Sequence, residues 1–188
     1  MFKSVSALQG DRYDGFVRIA EKGMRGMITI RGDLSDRAFC KAVEDVAGVE
    51  VPGQGMCNTK GDKAIAWMSP DEILVMMPYA EALIATRTFN DALMGSHGLV
   101  VNVSDARAVF RLQGADVRDV IAKLCPVDAS ADALATGQVR RTRLAQIAAA
   151  FWMVDETTLD LICFRSVAQY AFDVLSYAAR PGTEVEAH

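Results

Sequence analysis

The sequence has two histidines, His97 and His188, and four cysteines, Cys40, Cys57, Cys125 and Cys163, none in a C-x-x-C pair. That is a poor metal set, without the paired spacings that zinc sites use. Cys40 and Cys163 fall on a helical and a strand pattern and read as reduced thiols packed as small apolar side chains. Surplus positive charge is missing too: 20 Lys and Arg against 24 Asp and Glu give a net charge of -4, with a pI near 5.2. Nucleic acid, which needs a cationic face, is not an expected partner. No apolar run approaches the roughly 20 residues that cross a bilayer, since the richest, Ala145 to Val154, ends at Asp155-Glu156. Residues 1–22 mix Lys3, Asp11, Arg12, Asp14, Arg18 and Glu21 among apolar residues and leave no h-region for export. The expectation is a soluble cytoplasmic protein without a membrane partner.

What is present is apolar material, 51% of the residues with 23% charged, enough for one ordinary domain or two small fused halves. The chain also reads twice. Ile28-Thr-Ile-Arg-Gly32 and Val109-Phe-Arg-Leu-Gln-Gly114 each read as a strand and a glycine before a helix. Phe39, Ala42, Val43 and Val46 stripe the first helix before Gly48, and Val117, Val120, Ile121 and Leu124 the second before Pro126. Ala66-Trp67-Met68 to Asp71-Glu72 and Phe151-Trp152-Met153 to Asp155-Glu156 then predict hairpins 84 to 85 positions apart, with Asp-Glu at each corner. Helices follow, striped by Ala85, Phe89, Ala92 and Leu93 before Gly95, and by Val167, Ala171, Val174, Leu175 and Ala178.

Phe16 to Ala20 and Leu99 to Val103 supply a strand ahead of each half. Gln138 to Leu144 adds another in the second half. Its counterpart near Val49 to Thr59 is interrupted by Pro52, Gly53 and Gly55, which leaves strand or loop open there. The expected class is α+β: a single domain over 1–188 of two pseudo-repeats, about 14–95 and 98–179, each ββα(β)ββα with antiparallel sheets and packed helices.

Chemistry-bearing motifs are weak. Gly53-Gln54-Gly55 follows a helix, lacks a third glycine and Walker spacing, and reads as loop. Asp71-Glu72 and Asp155-Glu156 recur at hairpin corners, where adjacent carboxylates point apart into solvent and form turns rather than an acid-base pair. His97, in the turn-like Gly95-Ser-His-Gly98, gives no nucleophile-base arrangement. Arg140, Arg141 and Arg143 form a basic strand, with Arg141 and Arg143 on one face, that reads as a charged edge or as a grip for a carboxylate or an acidic partner. Asn102-Val-Ser104 matches a glycosylation sequon, without meaning in a chain that is not exported. No catalytic, cofactor-binding or metal-binding residue is assigned.

Three strings carry a resemblance: Arg107-Ala-Val-Phe-Arg-Leu-Gln-Gly to Val127-Asp128, Gln138-Val-Arg-Arg-Thr-Arg-Leu-Ala-Gln146, and Phe164-Arg-Ser-Val-Ala-Gln-Tyr-Ala-Phe172. With Trp67-Met-Ser-Pro-Asp-Glu72, the stretch from about 25 to 179 resembles the sarcosine oxidase gamma-subunit family. Met68, Ser69 and Ile73 depart from that family's hairpin pattern. The family is itself similar to folate-binding aminomethyltransferase domains, whose duplicated halves exchange their opening strands. The resemblance implies a complex of alpha, beta, gamma and delta chains that oxidises sarcosine to glycine, passes the one-carbon unit to tetrahydrofolate and releases hydrogen peroxide. It places flavins, NAD and folate in the alpha and beta chains and zinc in delta, and leaves no cofactor in this one. A stand-alone folate-binding or aminomethyl-transferring protein is the alternative. The expected partner-contact elements are the N-terminal segment to Lys22, the Pro52 to Lys60 loop and the Arg140 to Arg143 strand.

Overall fold

The computed structural model describes residues 4–185. Its elements run β1 (Arg12–Asp14), β2 (Arg18–Glu21), β3 (Arg25–Arg31), α1 (Arg37–Ala47), β4 (Cys57–Lys60), β5 (Lys63–Ser69), β6 (Glu72–Pro78) and α2 (Tyr79–Ala92). There follow β7 (Leu99–Asn102), β8 (Arg107–Gln113), α3 (Val117–Leu124), β9 (Val139–Leu144), β10 (Ile147–Asp155), β11 (Thr158–Phe164) and α4 (Ala168–Ala178). The chain is α+β, and its named strands pair antiparallel in two sheets, ordered β1-β2-β8-β11-β10-β9 and β4-β5-β6-β3-β7. β4 resolves the question left at 49–59: its first residues are loop, its last a short strand.

Two compact units result, one of residues up to Gly23 and from Asp105 onward, the other Met24–Ser104. They are not the contiguous halves of the sequence. β2 pairs with β8, Ile19 opposite Leu112, and so joins the sheet built by the second half. β7 pairs with β3, Val101 opposite Thr29, and joins the sheet built by the first.

Within the Met24–Ser104 unit, period-two alternation aims Ile28 and Ile30, Ile65, and Ile73, Val75 and Met77 at one face of the sheet. There they cluster with Phe39 and Val43 of α1 and Phe89 of α2. Asp36 caps α1 by accepting from the Ala38 N–H, and Gly48 ends it with a φ of 74° that glycine adopts without cost. The other unit follows the same rule. Phe110 and Leu112, Phe151 and Met153, and Leu159 and Leu161 meet Val120 and Ile121 of α3 and Ala171 and Leu175 of α4.

The repeat is visible in the main chain. The Gly32 N–H donates to the Asp71 carbonyl at 3.0 Å and the Gly114 N–H to the Thr157 carbonyl at 2.9 Å, so each glycine meets the turn of its own hairpin. Each hairpin carries one bulge before that turn, between Trp67 and Ser69 and between Met153 and Asp155. This register corrects the alignment read from the sequence. Asp71 corresponds to Thr157 and Ser69 to Asp155, so the two Asp-Glu pairs are not equivalent. Trp67 corresponds to Met153, and Trp152 to Ala66, one residue earlier and hence on the opposite face. Glu72 is not a solvated corner either: it opens β6, is buried, and accepts from Arg31.

Gly32 is where this packing tolerates least, because a Cβ there would lie 2.3 Å from the Phe39 ring. Gly32→Ala is expected to lower unfolding free energy by about 1–3 kcal/mol, measured by urea denaturation of the purified chain; an unchanged midpoint would contradict this packing.

Candidate functional site

The polar groups inside each unit are the places where chemistry could reside. In the unit holding β8 and β11, Asp160 and Arg111 face each other across the ladder, on the sheet face opposite Phe110 and Leu161. Arg111 donates from Nε to Asp160 Oδ1 at 2.7 Å and from Nη2 to Oδ2 at 2.8 Å, a bidentate pair. The Lys22 ammonium adds a third donor at 3.0 Å to Oδ2. The hydrogen bond to Asp160 raises the Arg111 pKa above its already high ordinary value, so the guanidinium does not exchange protons. With its oxygens already accepting from two cations, Asp160 is an anchor rather than a base. The sequence signal for it was present: Asp160 is a carboxylate inside the apolar strand Leu159 to Cys163.

Four other charges hold loops and the C-terminal stretch. Glu21 accepts from Ser6 Oγ at 2.8 Å and from the Leu8 and Gly10 N–H groups at 3.1 and 2.8 Å. Arg165 donates to the Val5 and Ser6 carbonyls. The N-terminal segment, expected to await a partner, is thus tied to its own unit from residue 5 onward. Arg118, buried, donates from Nη1 to the carbonyls of Ala129, Ser130 and Leu134, fixing the connection between α3 and β9. Asp119, also buried, accepts from the Val185 N–H at 2.9 Å. The basic strand divides as its alternation demands: Arg141 and Arg143 are exposed on the edge strand β9, while Arg140 turns back to the Ala133 carbonyl and Gln138 Oε1.

In the Met24–Ser104 unit, a cleft of about 430 Å³ is lined by Arg31, Gly32, Asp33, Asp71, His97, Gly98 and Leu99. Gly32 and Gly98 lack side chains where the Phe39 ring lies behind them. Arg31 donates to Glu72 at 2.6 Å and pairs with Asp71 at 3.5 Å. Hydrogen bonds from Ser35 hold the Asp33 carboxyl below its usual range, ionised near neutrality. The cleft therefore offers fixed charges and an exposed imidazole, but no nucleophile and base in contact. Among the described residues no three His, Cys, Asp or Glu side chains gather as a metal site would require, and no helix is long and apolar enough to cross a membrane. Gly53 to Gly55 lie in a loop, and Asn102 is occupied accepting from Ser104 N and Oγ.

Residues 31–180 match the sequence model of the sarcosine oxidase, gamma subunit family. The chain belongs to that family. It is 32% identical over 93 residues to sarcosine oxidase subunit gamma of Arthrobacter sp, covering 50% of this chain and 45% of that one. The alignment with this family member thus spans less than half of the relative's length. To the subunit gamma of Corynebacterium sp. (strain P-1) it is 27% identical over 144 residues, 76% of this chain and 70% of that one. In the family's fold, a chain of the heterotetrameric sarcosine oxidase from Corynebacterium sp. U-96 in complex with pyrrole 2-carboxylate superposes with a TM-score of 0.80 at 23% identity, covering 89% of this chain and 87% of that one. The glycine cleavage system aminomethyltransferase T from Bartonella henselae shares the fold at a TM-score of 0.60 and 13% identity, over 84% of this chain and 44% of the other.

Two measurements check this reading of the interior. Asp160→Ala removes the shared acceptor of Lys22 and Arg111, which are both partly exposed, and is expected to cost about 1–3 kcal/mol; a urea midpoint within error of the parent would refute the anchor. Burial pushes the Cys125 thiol up to about 12 and the Cys163 thiol up to about 11, from 9.0. Both contribute stability that is complete below pH 9 and declines as pH rises, at most about 1.4 kcal/mol per unit for each thiol. Replacing both by Ala should flatten the decline in stability between pH 9 and 11, and an equal slope in parent and variant would show that the thiols do not cause it.

Proposed function

We propose that this chain is the gamma subunit of a heterotetrameric sarcosine oxidase, a subunit that assembles and stabilises the complex and carries no cofactor chemistry of its own. The match of residues 31–180 to the gamma-subunit family carries the reading, and the solved relative of similar fold belongs to a heterotetramer. The interior agrees: Glu21, Arg111, Arg118 and Asp160 are engaged in holding strands and loops, which leaves association as the work of the surface. In this reading the partners are the alpha, beta and delta chains, in the cytoplasm. The complex oxidatively demethylates sarcosine to glycine with tetrahydrofolate as one-carbon acceptor and hydrogen peroxide as product. Flavins, NAD and folate sit in alpha and beta and zinc in delta.

A subunit of a permanent complex covers apolar area on its neighbours, commonly about 2,000 Å² or more, so their stability depends on its presence. Exposed Leu83, Ile84, Met94, Phe164 and Tyr177 are apolar side chains that this chain's own cores leave uncovered. The test is to purify tagged alpha after co-expression with and without this chain. Lower recovery, a lower Tm and less sarcosine turnover per alpha are expected in its absence. Equal values for all three would overturn the assembly role, and lost turnover with assembly and Tm intact would instead assign the chain a direct part in the reaction.

A further inference from the structure

Four strands end the two sheets: β1 and β9 in one, β4 and β7 in the other. A bare edge is a template for another chain, and folded proteins usually guard it with charge. β1 carries Arg12 and Asp14, β9 carries Arg140, Arg141 and Arg143, and β4 carries Lys60. β7 is Leu99-Val100-Val101-Asn102, without a charge.

Its geometry suits pairing. The Val103 N–H donates to the Met27 carbonyl at 2.8 Å, which puts 27 and 103 at a hydrogen-bonding position of the ladder, with the Met27 N–H going to Ser104 Oγ. The antiparallel alternation then bonds Thr29 with Val101 and Arg31 with Leu99, and turns the main-chain groups of Val100 and Asn102 away from β3. Val100 packs its side chain on the core, whereas Leu99 and Val101 point to the other face, 54% and 39% exposed. At its start β7 borders the 430 Å³ cleft, where Leu99 lies with Arg31, Asp33, Asp71 and His97. There Arg31 is committed to Glu72 and Asp71, so Asp33 leaves the cleft acidic.

We propose that β7 is a docking edge for an extended segment of another sarcosine oxidase subunit, which adds as a strand, lays apolar side chains over Leu99 and Val101, and sets a Lys or Arg beside Asp33. This rests on the gamma-subunit reading above. Main-chain bonds hold such a strand, alternate side chains select it, and the cleft's charge fixes its register. A second copy of this chain is the poorer occupant. In an antiparallel pairing of two β7 strands, the residues that reach the cleft are Val103-Ser104-Asp105, which bring a carboxylate where a cation is needed.

The experiment compares capture of this chain by tagged alpha, beta and delta subunits for the parent, Leu99→Lys with Val101→Lys, Asp33→Lys, and Lys60→Ala on the β4 edge. Both lysine variants are expected to lose about tenfold or more in captured chain at an unchanged Tm, and Lys60→Ala to match the parent. If the lysine pair lowers the Tm, Leu99→Lys alone decides, since that side chain is more than half exposed. Capture of the edge variants at the parent level overturns the docking edge, and normal capture of Asp33→Lys overturns the cation beside it. A dimer of the isolated chain that the edge lysines abolish assigns the edge to a second copy instead. A parent chain that is not captured at all refutes the gamma-subunit reading itself, a result separate from failure of the edge alone.

Discussion

The ladders that join β2 to β8 and β7 to β3 are the constraint on which the rest depends. Each sheet is completed by a strand that the sequence places at the head of the other half. Without β2, one edge of β8 would be bare and the core would lose Ile19 opposite Leu112. Without β7, β3 would lose Val100 and become an edge itself. Neither unit therefore coincides with one sequence repeat, and a cut between the two repeats would leave both sheets short.

Within that frame the ionised groups are spent on architecture. Glu21 gathers three donors from the N-terminal segment, Arg118 gathers three carbonyls from the connection to β9, and Asp160 gathers two cations on one sheet face. Each is a charge held near or below the surface by several short partners, an arrangement that is costly to disrupt. A fold shared with an aminomethyltransferase is here combined with an interior whose polar groups hold strands and loops in place.

Apolar periodicity made most of the fold legible. The stripes at Phe39 and Val43, and at Val117, Val120 and Ile121, place α1 and α3, and Gly32 and Gly114 mark matching turns because a strand-to-helix corner recurs in each half. The hairpins were also visible, but their register was not. Asp-Glu occurs near both corners, and a shared dipeptide outweighed the ladder register, which has no sequence mark and pairs Ser69 with Glu72 and Asp155 with Thr158, making Asp71 equivalent to Thr157. β1, three residues long, lies below what alternation can reveal. Asp160 was legible as a polar residue in an apolar strand, yet its partners Lys22 and Arg111 lie 138 and 49 positions away, and no local pattern names them.

The exchanged strand also sets a clock on synthesis. β2 leaves the ribosome roughly 90 residues before β8, an interval of about 5 to 20 s at ordinary translation rates. Through it β2 has only the three-residue β1 to pair with. Its neighbourhood is suited to waiting: Arg12, Asp14, Arg18 and Glu21 intersperse charge along the segment, which keeps a nascent strand hydrated and discourages pairing with another nascent chain. The same charges that make this segment a poor spontaneous strand leave it available for β8 when that partner emerges.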